Sequence, residues 1–379
     1  MKLWLLRLHR WSGLLIAAVV LVVGSTGAAT AYQAEIDRWL NPDLLHVAPP
    51  RGPSTGPALP MHRSDLDALV RAAETAWPGM RATSVRLPQT ADESHEVSVA
   101  PSDAQDFSGH YVYVDGHRGD VLGSRPFAPD ALSRRGIVAS LYQVHYSLAA
   151  SRTGVWLVSV VAAVWLVTAL IGLVLAWPKS WRDLRRIARL RLQGSAAQFN
   201  LSLHRLTGLC VAPVLVMVLA TGIALNFSPQ ATKLLERFSP LTFEPPLPIR
   251  STNAPRPLIA WQAAIDAAVK AQPAAHAYSA YFDPQRNVYV VRMREPGAIH
   301  RRGQSRIYVD ANDGQVLAVW NPRQGSAGDR VWAWQNPLHS GHAFGAVGRL
   351  LVCLSGIAAL LFVVTGVPLW LARRPRPAG

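Results

Sequence analysis

Four histidines recur at matched positions in the two halves of this 379-residue chain. His9-Arg10-Trp11-Ser12-Gly13-Leu14 returns as His204-Arg205-Leu206-Thr207-Gly208-Leu209, and Gly27 returns as Gly222, all at one offset of 195. After a slip of one residue, His145, Gly154 and Gly172 return as His339, Gly348 and Gly366. The remaining histidines have no counterpart. Ionisable side chains at the ends of apolar helices are costly to keep and are candidates for function. A repeat axis along the membrane normal puts His9 opposite His204 at one depth and His145 opposite His339 at another. Two imidazoles facing each other suit the axial positions of haem iron, so we expect two haems, one per pair. No Cys-x-x-Cys-His sequence is present, and the haems are therefore expected to be non-covalent, of b type. His342, one turn from His339, is a rival ligand, although its matched position is Leu148. Arg10 and Arg205, and on the other side Arg152 and Arg349, are expected propionate partners, with snorkelling as the alternative for each. The matched glycines leave room for the macrocycle or let helices approach closely.

The elements that must position these residues are membrane helices. Half of the residues are hydrophobic, and four apolar runs, about 11–32, 155–177, 206–227 and 350–371, approach the roughly 20 residues needed to cross a bilayer. Basic residues cluster beside them: Lys2, Arg7 and Arg10 at the start, Lys179, Arg182, Arg185, Arg186, Arg189 and Arg191 after the second run, and Arg373, Arg374 and Arg376 in the tail. By the positive-inside rule these ends face the cytoplasm, and both long segments face outward. Trp156, Trp177, Trp181 and Trp370 form the interfacial belt. The net charge of +15 is accounted for by topology and anionic lipid, so no nucleic acid is implied. Cys210 and Cys353 fall within apolar runs and read as small core side chains. The first run is read as retained and not as a cleaved signal, because its twin at 206–227 cannot be one.

Each outward segment repeats one pattern. In the first, residues 33–60 read as a linker, a helix runs over Ser64–Trp77 with Ser64 as N-cap and Pro78 as stop, and strands follow near 82–88, 95–100, 110–115 and 120–123. In the second, a helix near 258–271 precedes strands near 277–282, 287–294, 305–310 and 314–320. Val112-Tyr113-Val114-Asp115 with Gly119, and Ile307-Tyr308-Val309-Asp310 with Gly314, are hairpin signals. A helix on a small antiparallel sheet is the expected unit. The boundaries read as follows: helix 1–32, outer domain 33–144, helix with its outer histidine segment 145–178, basic loop 179–203, helix 204–227, outer domain 228–338, helix with its histidine segment 339–372, and tail 373–379. His46, His62, His95, His110, His117, His276 and His300 show no ligand spacing and read as surface residues. No dinucleotide or phosphate-loop motif appears, so no flavin or nicotinamide domain is expected within the chain.

The Val-Tyr-Val-Asp hairpins behind Ala-rich helices resemble the PepSY domain. Two such segments among four apolar runs, each His-Arg-x-[Ser/Thr]-Gly-Leu start opening a helix, resemble the PepSY-associated transmembrane family over residues 1 to about 375. The resemblance implies an integral α-helical membrane protein with two periplasmic α+β PepSY-like domains in tandem duplication, placed in a bacterial inner membrane. With the two haems expected from the histidine pairs, the reading is a di-haem oxidoreductase that takes electrons from a cytoplasmic-side donor, which the sequence leaves open as a quinol, a flavin or a separate reductase. The electrons pass to a periplasmic acceptor, which the resemblance implies is a ferric siderophore, from which reduction releases iron for uptake. The alternative is a non-enzymatic, membrane-anchored PepSY protein that binds or regulates a peptidase. A permease would need polar residues in the helix centres, where Thr168, Ser25 and Ser355 stand almost alone.

Overall fold

The computed structural model describes residues 2–48, 65–101, 108–242, 245, 247 and 259–372, with the Arg186 side chain left out. Ser64, His62, the tail arginines Arg373, Arg374 and Arg376, and residues 49–60 of the expected linker lie outside the described residues. The helices are α1 (Lys2–Thr30), α2 (Gln33–Leu40), α3 (Pro42–Leu45), α4 (Leu66–Ala76), α5 (Ile137–Ser147), α6 (Ser151–Ala176), α7 (Trp181–Ile187), α8 (Ala196–Asn226), α9 (Ser228–Glu236), α10 (Trp261–Ala271), α11 (Ala327–His339) and α12 (Gly345–Leu371). The strands are β1 (Met80–Arg86), β2 (His95–Pro101), β3 (His110–Val114), β4 (Val121–Pro126), β5 (His276–Asp283), β6 (Val288–Arg294), β7 (Ser305–Asp310) and β8 (Val316–Trp320).

The chain divides into two compact units, one built from residues 1–33, 139–234 and 334–379, the other from 34–138 and 235–333. The first unit holds four helices long and apolar enough to cross a membrane: α1, α6, α8 and α12. Each packs against two neighbours: α1 against α6 and α12, and α8 against the same two. Thus α1 and α8 occupy opposite corners. The α1–α12 seam is made of small residues; a Cβ on Gly356 would lie 2.6 Å from the Gly24 carbonyl and 2.9 Å from Ala28 Cβ. Backbones close this tightly only where side chains are absent or minimal.

All four spanning helices begin before their apolar runs, α1 and α8 by more than two turns. α1 starts at Lys2, and α8 starts at Ala196 behind a capping box, in which Ser195 accepts from the Gln198 amide and the Gln198 side chain reaches back to the Ser195 N–H. Such a box satisfies two of the orphan donors of the first turn. His9 and His204 therefore lie inside their helices, about two turns from the start. The opposite correction applies to His145. Its helix does not run on into the membrane span. The chain reverses between α5 and α6 through Leu148, Ala149 and Ser151, all left-handed with φ of 50–55°. The second half makes its reversal with Gly341 (φ 77°) and Gly345 (φ 60°) around a short 3-10 turn, His342–Phe344. Gly154 and Gly348 let each reversal close, because a Cβ at either would strike the carbonyl of Ser147 or Gly341.

The second unit holds a single eight-stranded antiparallel sheet, ordered β4-β3-β2-β1-β5-β6-β7-β8. Two separate small sheets were expected; instead they join edge to edge. β1 pairs with β5 in the register Ser84↔Tyr281, Val85↔Ala280 and Arg86↔Ser279. Adding the sequence offset of 195 to 84, 85 and 86 gives 279, 280 and 281, so the join is symmetric about Val85–Ala280. It removes two exposed edges at once. One face of the sheet carries α4 and α10 over a shared core that includes Leu69, Ala73, Val97, Ile265, Tyr289 and Ile307. Asp65, not Ser64, caps α4. Asp67 on α4 caps α10, accepting from the Trp261 N–H at 2.8 Å and the Gln262 N–H at 3.3 Å. A cap of this kind contributes about 1 kcal/mol. Residues 33–45, expected in a linker, form α2 and α3; Arg125 on β4 ties this segment down through Asp37 at 2.8 Å.

Candidate functional site

The first unit brings together all four repeat-related histidines. The His9 and His204 ring centres are 6.2 Å apart with planes at 85°. The His145 and His339 ring centres are also 6.2 Å apart, with planes at 41°. A metal bonded to one nitrogen of each ring at about 2.0 Å requires ring centres about 6 Å apart. A direct N–H···N hydrogen bond between the imidazoles would bring their centres closer, to about 5 Å.

The second ring nitrogen of each histidine is already committed. His9 Nδ1–H donates to the Thr168 carbonyl at 2.9 Å. His145 Nδ1–H donates to the Val23 carbonyl at 3.0 Å, with the Thr26 hydroxyl at 3.5 Å. His339 Nδ1–H donates to the Val218 carbonyl at 3.0 Å, with the Thr221 hydroxyl at 3.3 Å. His204 Nδ1–H donates to the Thr365 hydroxyl at 2.9 Å, and that hydroxyl donates in turn to the Leu361 carbonyl. Each imidazole is thereby held in the tautomer whose Nε2 carries the lone pair, the arrangement by which metal-ligating histidines are oriented.

Glycine makes these bonds possible. In an α-helix the carbonyl four residues before a glycine already accepts that glycine's N–H but keeps a second lone pair, and the missing Cβ opens a path to it. His145 sits on Gly27 and reaches the carbonyl of residue 23; His339 sits on Gly222 and reaches 218; His9 sits on Gly172 and reaches 168. A Cβ at Gly27, Gly172 or Gly222 would lie 2.8 Å from the Cε1 of its histidine. Gly366 is looser, with its Cβ position 3.5 Å from His204 Cε1, and there the hydroxyl of Thr365 takes the place of the carbonyl. These four glycines seat imidazoles; they do not supply clearance for a macrocycle. Gly13 and Gly208, one turn beyond His9 and His204, are different: a Cβ there would meet nothing closer than Thr168 Cγ2 at 4.0 Å and Phe362 Cε1 at 3.8 Å.

His342 is not opposite His145; its Nδ1 pairs with the Ser340 hydroxyl at 2.9 Å. Of the four arginines, Arg349 is engaged by protein. Its Nε and Nη2 donate to the Ala31 carbonyl at 3.1 and 2.9 Å, and its guanidinium lies 4.6 Å from the Tyr32 ring centre. Arg152 is exposed in the first turn of α6, and Arg10 and Arg205 are half-buried beside their histidines. Among the described residues none of these three has an ion-pair partner. The polar helix residues of a would-be permease path are used locally: the Thr168 hydroxyl donates to the Val164 carbonyl and pairs with the Ser12 hydroxyl, and the Ser25 and Ser355 hydroxyls donate to the carbonyls of Leu21 and Val352.

Thr26, Thr221 and Thr365 were not singled out from sequence. Their signal is a Thr-Gly dipeptide at 26–27, 221–222 and 365–366, each glycine being a histidine seat. In the second unit, His95 is buried against Gly116, not on the surface, and His110 stacks on Trp77 with centres 3.5 Å apart. Among the described residues no three or more His, Cys, Asp or Glu side chains converge as a purely protein metal centre requires. Paired imidazoles without further ligands fit a metal whose other positions are filled by a macrocycle, as in haem.

A family model for the PepSY-associated TM region matches residues 6–373. The chain belongs to this family. The match covers all four spanning helices, both histidine pairs and the eight-stranded sheet. A search of curated proteins returned no match. As a PepSY-associated membrane protein, the chain has the bilayer as its first partner, through four helices whose flanks present Leu15, Val160, Val174, Leu201, Leu354 and Val364.

Proposed function

We propose that this PepSY-associated protein is a transmembrane oxidoreductase with two bis-histidine haem sites, passing electrons from the cytoplasmic side to an acceptor outside. The observation that carries the reading is the doubled geometry: two histidine pairs, each with ring centres 6.2 Å apart and every Nδ1 already bonded. A b-type haem held by each pair supplies one-electron redox chemistry. The chain's own work is orientation. Carbonyls of Thr168, Val23 and Val218 and the Thr365 hydroxyl keep each ring in one tautomer and aimed; Arg10 and Arg205 are available for propionates, and α1 spaces the sites. Val23, whose carbonyl holds His145, lies roughly 21 Å along α1 from His9 at 1.5 Å per residue, so the two sites divide the thickness of the membrane between them.

The basic loop, Lys179 to Arg191, supports an orientation with the His9/His204 site in the cytoplasmic half of an inner membrane and the sheet unit in the periplasm. The acceptor we assign is a ferric siderophore, following the family resemblance; iron(II) is held far less tightly than iron(III) by hard oxygen chelators, so reduction releases it. The donor is a quinol or a separate reductase. The test is a pyridine haemochrome assay on purified protein. We expect two haems per chain, one after His9→Ala or His204→Ala, and no reduction of an outside acceptor by His145→Ala/His339→Ala although the first-pair haem still reduces with dithionite. Colourless protein from haem-replete cells would instead support a membrane-anchored PepSY regulator.

A further inference from the structure

The face of the sheet turned away from α4 and α10 carries a row of side chains running from strand to strand. In the first half the row reads Tyr113, Glu96 and Arg86, and charge is matched: Arg86 pairs with Glu96 at 2.9 Å. Across the join it continues as Ser279, Arg292, Arg306 and Trp320, each directly opposite the next. Two arginines thus stand side by side on neighbouring strands, an arrangement that costs stability through like-charge repulsion.

The fold does not demand them. The matched positions in the first half are Ser98 and Tyr111, which pair in the same register. Arg302, exposed in the β6–β7 connection, is close enough to act electrostatically on both Arg292 and Tyr111. Burial, followed by the nearness of Arg306 and Arg302, holds the Arg292 guanidinium below the ordinary arginine range. Among the described residues no carboxylate pairs with Arg292 or Arg302. Among the described residues Trp320 Nε1 is a buried donor without an acceptor, and Arg306 lies over its ring at 5.3 Å. Tyr281 beside them is 39% exposed and Arg302 is exposed, so the patch is reached from solvent at these two side chains, with Arg292, Arg306 and Trp320 half-buried behind them. Donors are concentrated here, acceptors are scarce, and aromatic rings flank them.

The geometry points to a binding site on this face, centred on Arg292 and Arg302, for an oxygen-rich polyanion. Guanidinium forks bind carboxylate and catecholate oxygens in bidentate fashion, and Tyr281 and Tyr111 offer flat contact. If the chain is a ferric-chelate reductase, an identity that rests on the preceding section, its acceptor is an anionic carboxylate or catecholate chelate and not a neutral hydroxamate one.

Gallium(III) chelates test this without redox chemistry, because gallium(III) takes the same ligands and is not reduced. Full-length protein in detergent is titrated by calorimetry with gallium citrate, gallium tris-catecholate and a neutral gallium tris-hydroxamate. At least one anionic chelate is expected to bind, with affinity that falls as salt rises, and the neutral one to bind at least tenfold more weakly. Arg292→Gln/Arg302→Gln should lower the anionic affinity about tenfold or more. Lys270→Gln, which removes one exposed charge from α10 on the opposite face, should leave it unchanged. Arg302→Gln alone, at an exposed loop position, should give a smaller loss in the same direction and serves if the double variant does not fold. Equal affinity in wild type and variants, or no binding of either anionic chelate by wild type, overturns the site. Binding by a preparation that lacks haem leaves the site standing and removes the reductase reading; two haems without anion binding does the reverse.

Discussion

Gly27 and His145 stand in contact so close that a single methyl group would separate them: a Cβ on Gly27 would sit 2.8 Å from His145 Cε1. The absent side chain is what allows the imidazole to reach the Val23 carbonyl one turn back. The same relationship joins Gly222 to His339 and Gly172 to His9, and it is relaxed at Gly366 and His204.

Gly27→Ala and Gly222→Ala should each push the ring off its carbonyl and impair the His145/His339 site, with loss of about one haem per chain. Overpacking of this size costs about 1–3 kcal/mol. Gly172→Ala should do the same at the His9/His204 site. Gly366→Ala should be tolerated, because its Cβ would lie at ordinary contact distance, 3.5 Å. Haem stoichiometry and low-spin absorbance across the four variants provide the check. A uniform response would mean that these glycines serve helix packing alone.

The hydroxyls should also rank. Thr365 provides the acceptor described for His204, so Thr365→Val strands a buried N–H, at a cost of about 1–3 kcal/mol, and should weaken haem retention at that site by roughly 10–100-fold. His339 keeps the Val218 carbonyl when Thr221 is lost, so Thr221→Val should have a small effect. Competition of each variant with a haem-scavenging apoprotein gives the ratio. Equal loss rates for the two would show that Thr365 does not hold His204.

Acid should loosen the sheet through Glu96. Burial alone raises this carboxyl, but Arg86 at 2.9 Å, with a further bond from Tyr113, outweighs burial and holds Glu96 below the usual carboxylate range. Its folded pKa is therefore the depressed one. The stabilisation is present above the unfolded value near 4.3 and is lost as pH falls through the lower folded value. Glu96→Gln should unfold more readily at neutral pH, by about 1–3 kcal/mol, and the gap from wild type should narrow as pH falls below the unfolded carboxylate value. Thermal unfolding followed by circular dichroism over that range measures it; a gap independent of pH would exclude this ionic contribution.

Repeat arithmetic was enough to single out His9, His204, His145 and His339, because a matched pair of ionisable residues at apolar helix ends has few structural explanations. Length and apolarity likewise marked the four spanning helices. Their true starts were harder to read, since a helix runs on past the hydrocarbon into polar sequence; the Ser195–Gln198 box was the available sign for α8. The reversal after α5 has no residue-type signal, because Leu148, Ala149 and Ser151 adopt left-handed backbone without glycine. Its counterpart was marked by Gly341 and Gly345. The strands were legible one by one from alternation and turns, but the β1–β5 pairing was not. It links Val85 to Ala280, and no local pattern reports a partner that far along the chain.

That pairing has a cost for any attempt to divide the polypeptide. A fragment stopping before residue 276 would keep the β1–β2 ladder but leave the other edge of β1 unpaired, and one beginning after residue 86 would do the same to the facing edge of β5. Each piece would seek a substitute strand in another copy of itself, and its natural end state would be intermolecular assembly or precipitation.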